Sequence, residues 1–426
     1  TPRSVGCVEF FVIVYFFQKE GKTIRVVVYM ELSRKIKLKI ALSCLLSTSS
    51  LYTPVKTIFL LHFLMQEQDI SFFKFIFTLA AFVFELPSGY LSDKFGNRLC
   101  LILSRLFSIA SLLFYCVSPN FAGFLTANFL LGMADAWESG ASDSYFLILC
   151  QNANAKYSLE LSYREIKLSV TKFSYWVNFA LMFFSTVLYK QNVFYPFLCT
   201  MILIAVSMLI LLTLPPDRDL ALVKPKQEAR FLSETNSMLH KIGSNKPLLL
   251  EMFSTITCTA IYILNFEYYA VAFQRAGIPD PWLGPIYASF MLLNSVGVLI
   301  YQKKCLSLFR RTLLLLSPVS FLLIASGQPL AVLAAVVIQQ LCFSYYNCNF
   351  ELYVLDSIDD LTQSSYFQST ISFINVVYRM TLTLVVTALF AKLSFERTYL
   401  VFACVILGVS VCKSVLSTRR VRKNEI

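Results

Sequence analysis

The chain has too little charge to fold as a soluble domain. Only 15% of its 426 residues are Asp, Glu, Lys or Arg, whereas a soluble domain has roughly a quarter. Hydrophobic residues make up 57% of the chain, and they come in blocks without the period of an amphipathic helix or a half-buried strand. A water-exposed globule is therefore excluded. The composition predicts an all-α polytopic membrane protein surrounded by the lipid bilayer.

Histidine is scarce, and cysteine forms no ligand cluster. The two histidines are His62 and His240, and none of the twelve cysteines forms a CxxC pair. Metal sites need closely spaced ligands of these types, so we predict no metal ion and no other cofactor. The phosphate-binding pattern GxxxxGK followed by Ser or Thr is also missing. ATP is therefore not expected to drive any activity of this chain.

The net charge of +12 would suit a nucleic-acid partner in a soluble protein. In a membrane protein, cationic loops instead set the topology, so no nucleic-acid partner is predicted. A bilayer core needs about 20 apolar residues for each crossing helix. Twelve blocks meet this need, in two sets of six, at residues 40–65, 71–92, 99–117, 121–141, 168–189, 193–214, 248–272, 282–302, 311–326, 328–348, 366–391 and 396–412.

The same blocks divide the chain into predicted domains. Residues 8–17 are apolar but too few to cross a bilayer, so 1–29 is expected to be an upstream extension or an interfacial segment. The remaining domains are an N-terminal six-helix bundle, a polar cytoplasmic linker, a C-terminal six-helix bundle and a basic cytoplasmic tail. They cover 30–214, 215–246, 247–415 and 416–426.

The positions of the Lys and Arg residues fit one orientation of the twelve predicted spans in the membrane. With residues 30–39 inside, the inside loops and tail contain most of the loop Lys and Arg residues, and the outside loops contain only Lys190, Arg275, Lys392 and Arg397. This asymmetry follows the positive-inside rule. We therefore expect a multi-pass protein of the plasma membrane, monomeric, with both termini in the cytoplasm. Residues 349–365 depart from the rule, because this inside loop contains four acids and no cation.

A polar interruption separates the second and third predicted spans. Residues 84–98 have the sequence FELPSGYLSDKFGNR. Proline removes a backbone donor and glycine allows tight reversals or close helix approach. The residues expected to act as a gating motif here are Glu85, Pro87, Gly89, Asp93, Lys94, Gly96 and Arg98.

This interruption resembles the signature loop of the major facilitator superfamily, G-x-L-x-D-[RK]-x-G-x-[RK]. The preceding ELPSG resembles the E-[IV]-P-T-G form of a bacterial subgroup often described as efflux proteins. GMADAWESGA at 132–141 and RAGIP at 275–279, with Gly284 and Ile286 after it, resemble other segments of that subgroup. The resemblance implies the superfamily's fold of twelve transmembrane helices in two six-helix halves, with a loop that closes the cytoplasmic side during transport.

Two features depart from the superfamily's antiporters. These often have an arginine in the fourth span, where this chain has Asn128, and a fifth span rich in Gly and Pro, whereas 168–189 contains neither. Both departures weaken the expectation of proton antiport and leave the expected fold unchanged.

Charged residues within spans are costly, so they are candidates for substrate binding or coupling. The charged candidates are Lys56 in the first span, Asp135 and Glu138 in the fourth and Glu267 in the seventh. The tenth span adds a polar, uncharged candidate, Asn347. Asp135 and Glu138 are three residues apart and share a helix face. In the superfamily, spans one, four, seven and ten line the central cavity, which favours Lys56 with Asp135 and Glu138 as a coupling group and Glu267 as the second choice.

Structural roles for these residues remain open. Asp135 and Glu138 lie near a span end and would then be solvated, and Glu267 would belong to an aromatic interfacial belt. Lys56 would pair with an acid. Arg105 and Arg379 are further partners for acids within the spans.

The expected function is alternating-access transport of a small molecule, with export and proton coupling as the first hypothesis. An uptake carrier or facilitator of the same fold, a non-transporting sensor or scaffold, and a polytopic membrane enzyme are the alternatives. An enzyme is disfavoured because no histidine lies where a general base would be needed.

Overall fold

A computed structural model of the chain describes residues 22–139, 141–157, 161–216, 246–302, 307–356 and 364–424. All the regular secondary structure in these ranges is helical. The α-helices are α1 Lys22–Thr48, α2 Lys56–His62, α3 Glu67–Phe95, α4 Asn97–Val117, α5 Phe121–Glu138, α6 Ala141–Tyr157, α7 Tyr163–Gln191, α8 Tyr195–Leu212, α9 Lys246–Arg275, α10 Leu283–Gln302, α11 Ser307–Ala325, α12 Pro329–Asp356, α13 Ser364–Lys392 and α14 Phe395–Asn424. A 3₁₀ turn, Asp280–Trp282, precedes α10.

The helices pack into two groups. In the N-terminal half, α1 to α8, helix α5 packs on α3 and α4, and α8 packs on α1 and α4. In the C-terminal half, α9 to α14, helix α12 packs on α9, α10 and α11, and α11 packs on α14. The halves meet where α3 contacts α13, α7 contacts α10, and α9 contacts α2 and α3. The predicted all-α fold in two helical halves is confirmed. The exact domain bounds stay predictions, and residues 1–21 and 217–245 lie outside the described ranges.

The outer surface of the bundle is apolar. Large hydrophobic side chains point outward along α7, including Phe173, Trp176 and Phe184, which are 58–63% exposed. An apolar surface of this extent needs a lipid or protein cover. By length and composition alone, the helices of the described part that can cross a membrane are Asn97–Val117, Tyr195–Leu212 and Phe253–Arg275.

The first predicted span, 40–65, is broken rather than continuous. Helix α1 ends at Thr48 and α2 begins at Lys56. Ser49 donates a side-chain hydrogen bond to the Leu45 carbonyl at 2.7 Å, and Pro54 has no backbone donor to continue a helix. The break places Lys56 at a helix start, where its side chain can leave the helix axis.

Several helices extend beyond the apolar blocks that predicted them. Helix α6 occupies part of the loop expected at 142–167, because Tyr145, Phe146 and Leu149 form a buried apolar face. Helix α12 continues to Asp356 and α14 to Asn424. A hydropathy scan detects only the apolar part of a helix, and the backbone hydrogen bonds of a helix continue into polar sequence.

The bundle has two ends, the motif end and the opposite end. The motif end contains Gly96, where α3 ends and α4 begins. The opposite end contains Glu67, the first residue of α3, and Arg275, the last residue of α9. The topology predicted above places the motif end in the cytoplasm.

Candidate functional site

One carboxylate joins the two halves within the bundle. Glu267 of α9 lies 3.4 Å from the Lys56 ammonium, measured from Oε2, and 3.2 Å from the Lys74 ammonium, measured from Oε1. The three side chains are 14–18% exposed. Both lysines belong to the N-terminal half and the carboxylate to the C-terminal half. Any separation of the halves at this level must therefore break both ion pairs.

The helices hold the three residues in place in different ways. Thr57, beside Lys56 on α2, donates a hydrogen bond to the Glu267 backbone carbonyl at 2.8 Å. Lys74 lies two turns into α3 and also covers the Phe77 ring, 4.7 Å from the ring centroid. The α2–α9 contact thus fixes the backbone at Glu267, while Lys74 approaches the carboxylate from a second helix.

Further contacts between the halves lie toward the opposite end. The Arg275 guanidinium forms an ion pair with Glu67 at 2.5 Å. Tyr268 donates to the Glu67 carbonyl at 3.0 Å, and Thr186 donates to the Pro281 carbonyl at 3.1 Å. Together with Glu267, these bonds hold the opposite end closed in this structure. Tyr268 is therefore a buried contact residue, as its 1% exposure also shows.

Gly284 allows a close helix approach between the halves. A Cβ atom at this position on α10 would lie 2.8 Å from the Met182 carbonyl oxygen and 2.7 Å from the Thr186 hydroxyl on α7. Contacts this short do not occur for real side chains. The close packing of α7 on α10 therefore requires glycine here.

The fourth-span acids have different surroundings. Glu138 forms a bidentate ion pair with Arg105 of α4, at 2.6 and 2.8 Å, inside the N-terminal half. The prediction that Arg105 is a partner for an acid is confirmed. Asp135 is exposed and interacts through charge with Lys74 and Arg379, both beyond ion-pair distance. Lys56 therefore pairs with Glu267, the second-choice residue, rather than with this acid pair.

The motif end contains the predicted tight reversal. Gly96 has a φ of +98°, a left-handed conformation that favours glycine, and it joins α3 directly to α4. Arg98 donates to the carbonyl oxygens of Leu211 and Leu212, at 3.2 and 2.7 Å. These two carbonyls lie at the end of α8, where the Leu214 N–H also donates to the Leu211 carbonyl at 3.1 Å, so Arg98 helps to cap that helix.

The start of the motif ties α3 to α5. Ser139 donates to the Glu85 carboxylate at 3.2 Å, and Ser88 donates to the Ala136 carbonyl at 2.9 Å. Pro87 lies inside α3, which continues past it. These contacts fix the motif against its own half. Gly89 and the side chains of Asp93, Lys94 and Asn347 lie outside the described part, so the roles of these residues stay predictions.

Asn128, at the position of the antiporter arginine, has a packing role. Its amide is buried and donates to the Tyr115 hydroxyl at 2.9 Å and to the Phe124 carbonyl at 2.8 Å. Both partners belong to the N-terminal half. The residue therefore supports the α4–α5 contact and does not line the interface between the halves.

The polar residues of the tenth span form a buried network. Gln339 accepts hydrogen bonds from Asn265 at 2.6 Å and from Tyr269 at 2.8 Å. Tyr399 donates to Asn265, and Gln340 donates to Tyr269. The network links α9, α12 and α14 within the C-terminal half. It aligns these helices and places Glu267, two residues after Asn265, at the interface between the halves.

Lys74 is a residue of this site that was not predicted from the sequence. It lies only four residues into the predicted span 71–92, where a lysine is expected to reach the membrane surface. Helix α3 begins earlier, at Glu67, and this start places Lys74 deeper in the bundle. Lys74 could have been found in the sequence as a single cation within an apolar run, because the same criterion selected Lys56.

Comparisons with known proteins agree with this architecture. The nucleoside transporter NupG is 13% identical, with a TM-score of 0.70 over 90% of this chain and 98% of that chain. A POT family transporter in complex with 5-aminolevulinic acid is 11% identical, with a TM-score of 0.64 over 90% of this chain and 96% of that chain. At these identities the likeness establishes the fold. No curated protein matches the sequence.

The family assignment rests on a match of the sequence itself. The Major Facilitator Superfamily model matches residues 40–379, which include the motif, the linker and most of both halves. The expected superfamily is confirmed, and the narrower likeness to its efflux-type subgroup stays a prediction. The chain belongs to the Major Facilitator Superfamily.

Proposed function

We propose that this protein is a secondary active transporter that exports a small molecule across the plasma membrane by alternating access, coupled to protons. The observation that carries the proposal is the position of Glu267 between Lys56 and Lys74, across the interface of the two halves. A transporter that rocks one half against the other needs contacts at this interface that form in one state and break in the other.

The two ion pairs can serve as such a contact. The attraction between opposite charges is strong in a site with little water and falls when water enters. A proton on Glu267 would remove the charge that holds both lysines, so protonation favours separation of the halves. Glu267 is therefore our first candidate for the coupling residue, ahead of Asp135 and Glu138.

The closed end supports the proposed direction. The described bonds between the halves that involve Glu67, Tyr268 and Thr186 lie toward the opposite end. The predicted topology places this end outside the cell. A state closed there takes up its substrate from the cytoplasm, which is the loading state of an exporter.

Vesicles with the purified protein provide the test. Proteoliposomes and protein-free liposomes are incubated with a defined metabolite mixture that includes nucleosides and short peptides, with a pH gradient of either sign, and their contents are measured by mass spectrometry. We expect at least one compound to accumulate against its gradient, and the Glu267→Gln variant to exchange that compound without accumulating it. The same contents in both kinds of vesicle under every gradient would overturn the proposal in favour of a sensor or scaffold.

A further inference from the structure

A very small polar cavity lies between α3, α9 and α13, where the two halves meet. Lys74 and Thr78 of α3 form one wall, Arg379 and Thr383 of α13 form another, and apolar residues of α9 such as Leu264 form the third. The volume of the cavity is about 10 Å³, which is room for roughly one water molecule. An organic molecule is therefore too large for this cavity, whereas a water molecule or a monatomic ion fits.

The two cations that line the cavity come from different halves. Lys74 pairs with Glu267 at 3.2 Å. Arg379 is half-buried in the middle of α13, and within the described part of the chain no carboxylate lies at ion-pair distance from its guanidinium. The charge of Arg379 also acts on Lys74. Two like charges this close in a site with little water repel each other strongly, so the cavity favours an anion between them.

The charges around the cavity leave one positive charge in excess. The cations of the described part are Lys56, Lys74 and Arg379, and the acids are Glu267 and Asp135. Glu267 pairs with both lysines, whereas Asp135 acts on Arg379 through charge alone. A partly buried charge without a bonded partner is costly. A water molecule would fill the cavity without balancing this charge, but a single monovalent anion would do both.

We infer that Lys74 and Arg379 hold a chloride ion, which stays in the protein and is not its substrate. The ammonium and guanidinium N–H groups are donors only, so both can bind one anion. The Thr78 and Thr383 hydroxyls donate to carbonyls one turn earlier in their own helices, at 3.0 and 2.8 Å, and a hydroxyl proton can rotate toward an ion. Because the two cations belong to opposite halves, the ion would bind α3 to α13.

Thermal unfolding of the purified protein in detergent provides the test. Sodium gluconate, whose anion is too large for the cavity, is replaced stepwise by sodium chloride at constant ionic strength. We expect the unfolding temperature to rise with the chloride concentration, because a ligand that binds only the folded state stabilises it. Arg379→Gln and Lys74→Gln should each need at least about tenfold more chloride for the same rise. Arg379→Lys, which keeps the charge, should need less chloride than Arg379→Gln.

A control variant and a second measurement complete the test. Arg397→Gln removes a charge from an exposed position and should keep the wild-type response to chloride. Bromide should replace chloride, and its anomalous X-ray scattering in crystals of the wild-type protein should give a peak between Lys74 and Arg379. This second measurement needs no variant, so it applies even where a variant fails to fold. Equal unfolding temperatures in chloride and gluconate, a wild-type chloride response in Arg379→Gln, or crystals without a bromide peak at this site would each overturn the inference.

Discussion

Glu267 of α9 lies between the ammonium groups of Lys56 and Lys74, at 3.4 and 3.2 Å, so that one acid of the C-terminal half holds two cations of the N-terminal half. The Lys56 ammonium is at the start of a helix that exists because the first span is broken. The Lys74 ammonium comes from α3, the helix whose last turns contain the start of the motif at residues 84–98. The Glu267 side chain thus connects the C-terminal half to α3, and α3 extends from the opposite end of the bundle to the motif end.

Gly284 should determine how closely the halves pack at the opposite end. In Gly284→Ala, a Cβ atom would lie within 2.9 Å of three atoms of α7, and overpacking of this kind costs about 1–3 kcal/mol. We expect the open population to rise roughly tenfold. The measurement is the maleimide reactivity of a single cysteine at buried Ser71, next to α9, in a cysteine-free background.

The control for this prediction is Gly408→Ala. A Cβ atom at Gly408 would meet no atom of a neighbouring residue within 4 Å, so this variant should react at the wild-type rate. If Gly284→Ala reacted as slowly as the control, α7 and α10 would not form a packing contact that limits opening.

The Arg105–Glu138 pair should act on stability alone. Glu138→Gln leaves the Arg105 guanidinium buried without its acid, and a loss of about 2 kcal/mol is expected after allowance for the 34% exposure of Glu138. The unfolding temperature in detergent should fall, and the apolar double variant Arg105→Met with Glu138→Leu should recover part of the loss. An unchanged unfolding temperature in Glu138→Gln would show that the pair contributes nothing.

Asp93 should affect turnover without affecting folding. In Asp93→Asn, the abundance of the protein in the membrane should stay near normal. Transport of the compound found in the vesicle screen should slow, because the Asp93 charge stabilises one of the two alternating conformations. Asp280→Asn, at an exposed position, is the matched control and should transport normally. A normal transport rate in Asp93→Asn would show that the Asp93 charge has no role in transport.

The topology makes a separate prediction. In a cysteine-free background, single cysteines at residue 229 and in the C-terminal tail should be labelled only from the cytoplasm, and one at residue 278 only from outside. An impermeant maleimide on intact cells gives the answer. Labelling of the tail from outside would contradict the orientation and, with it, the proposed direction of export.

Much of the fold followed from composition and local pattern. The apolar blocks predicted the crossing helices because a bilayer demands uninterrupted apolar length, and Gly96 predicted its turn because left-handed backbone favours glycine. The pairing of Lys56 with Glu267 did not follow, since the two residues are more than 200 positions apart and the register of α2 against α9 is set by packing. The break before Lys56 depends on Pro54 and on side-chain bonds to the end of α1, which no hydropathy scan detects.

The candidate site was predictable only as a set of costly charges. The rule that charges inside spans mark function selected Lys56, Asp135, Glu138 and Glu267 without their partners. Glu138 proved to be satisfied within its own half by Arg105. A hydropathy scan places the start of α3 too late in the sequence. Lys74 was therefore expected near the end of the span, and its position deeper in the bundle was not predicted.

If Glu267 holds the halves together at the opposite end in one state of a two-state cycle, removal of its charge should let them separate there. The most direct measurement is the distance between spin labels at Gln68 and Gln274, one on each half, by double electron–electron resonance in lipid nanodiscs. Wild type should show a dominant short distance, and Glu267→Gln should shift population to a longer one, while Glu138→Gln should match wild type. Identical distance distributions for Glu267→Gln and wild type would contradict the account.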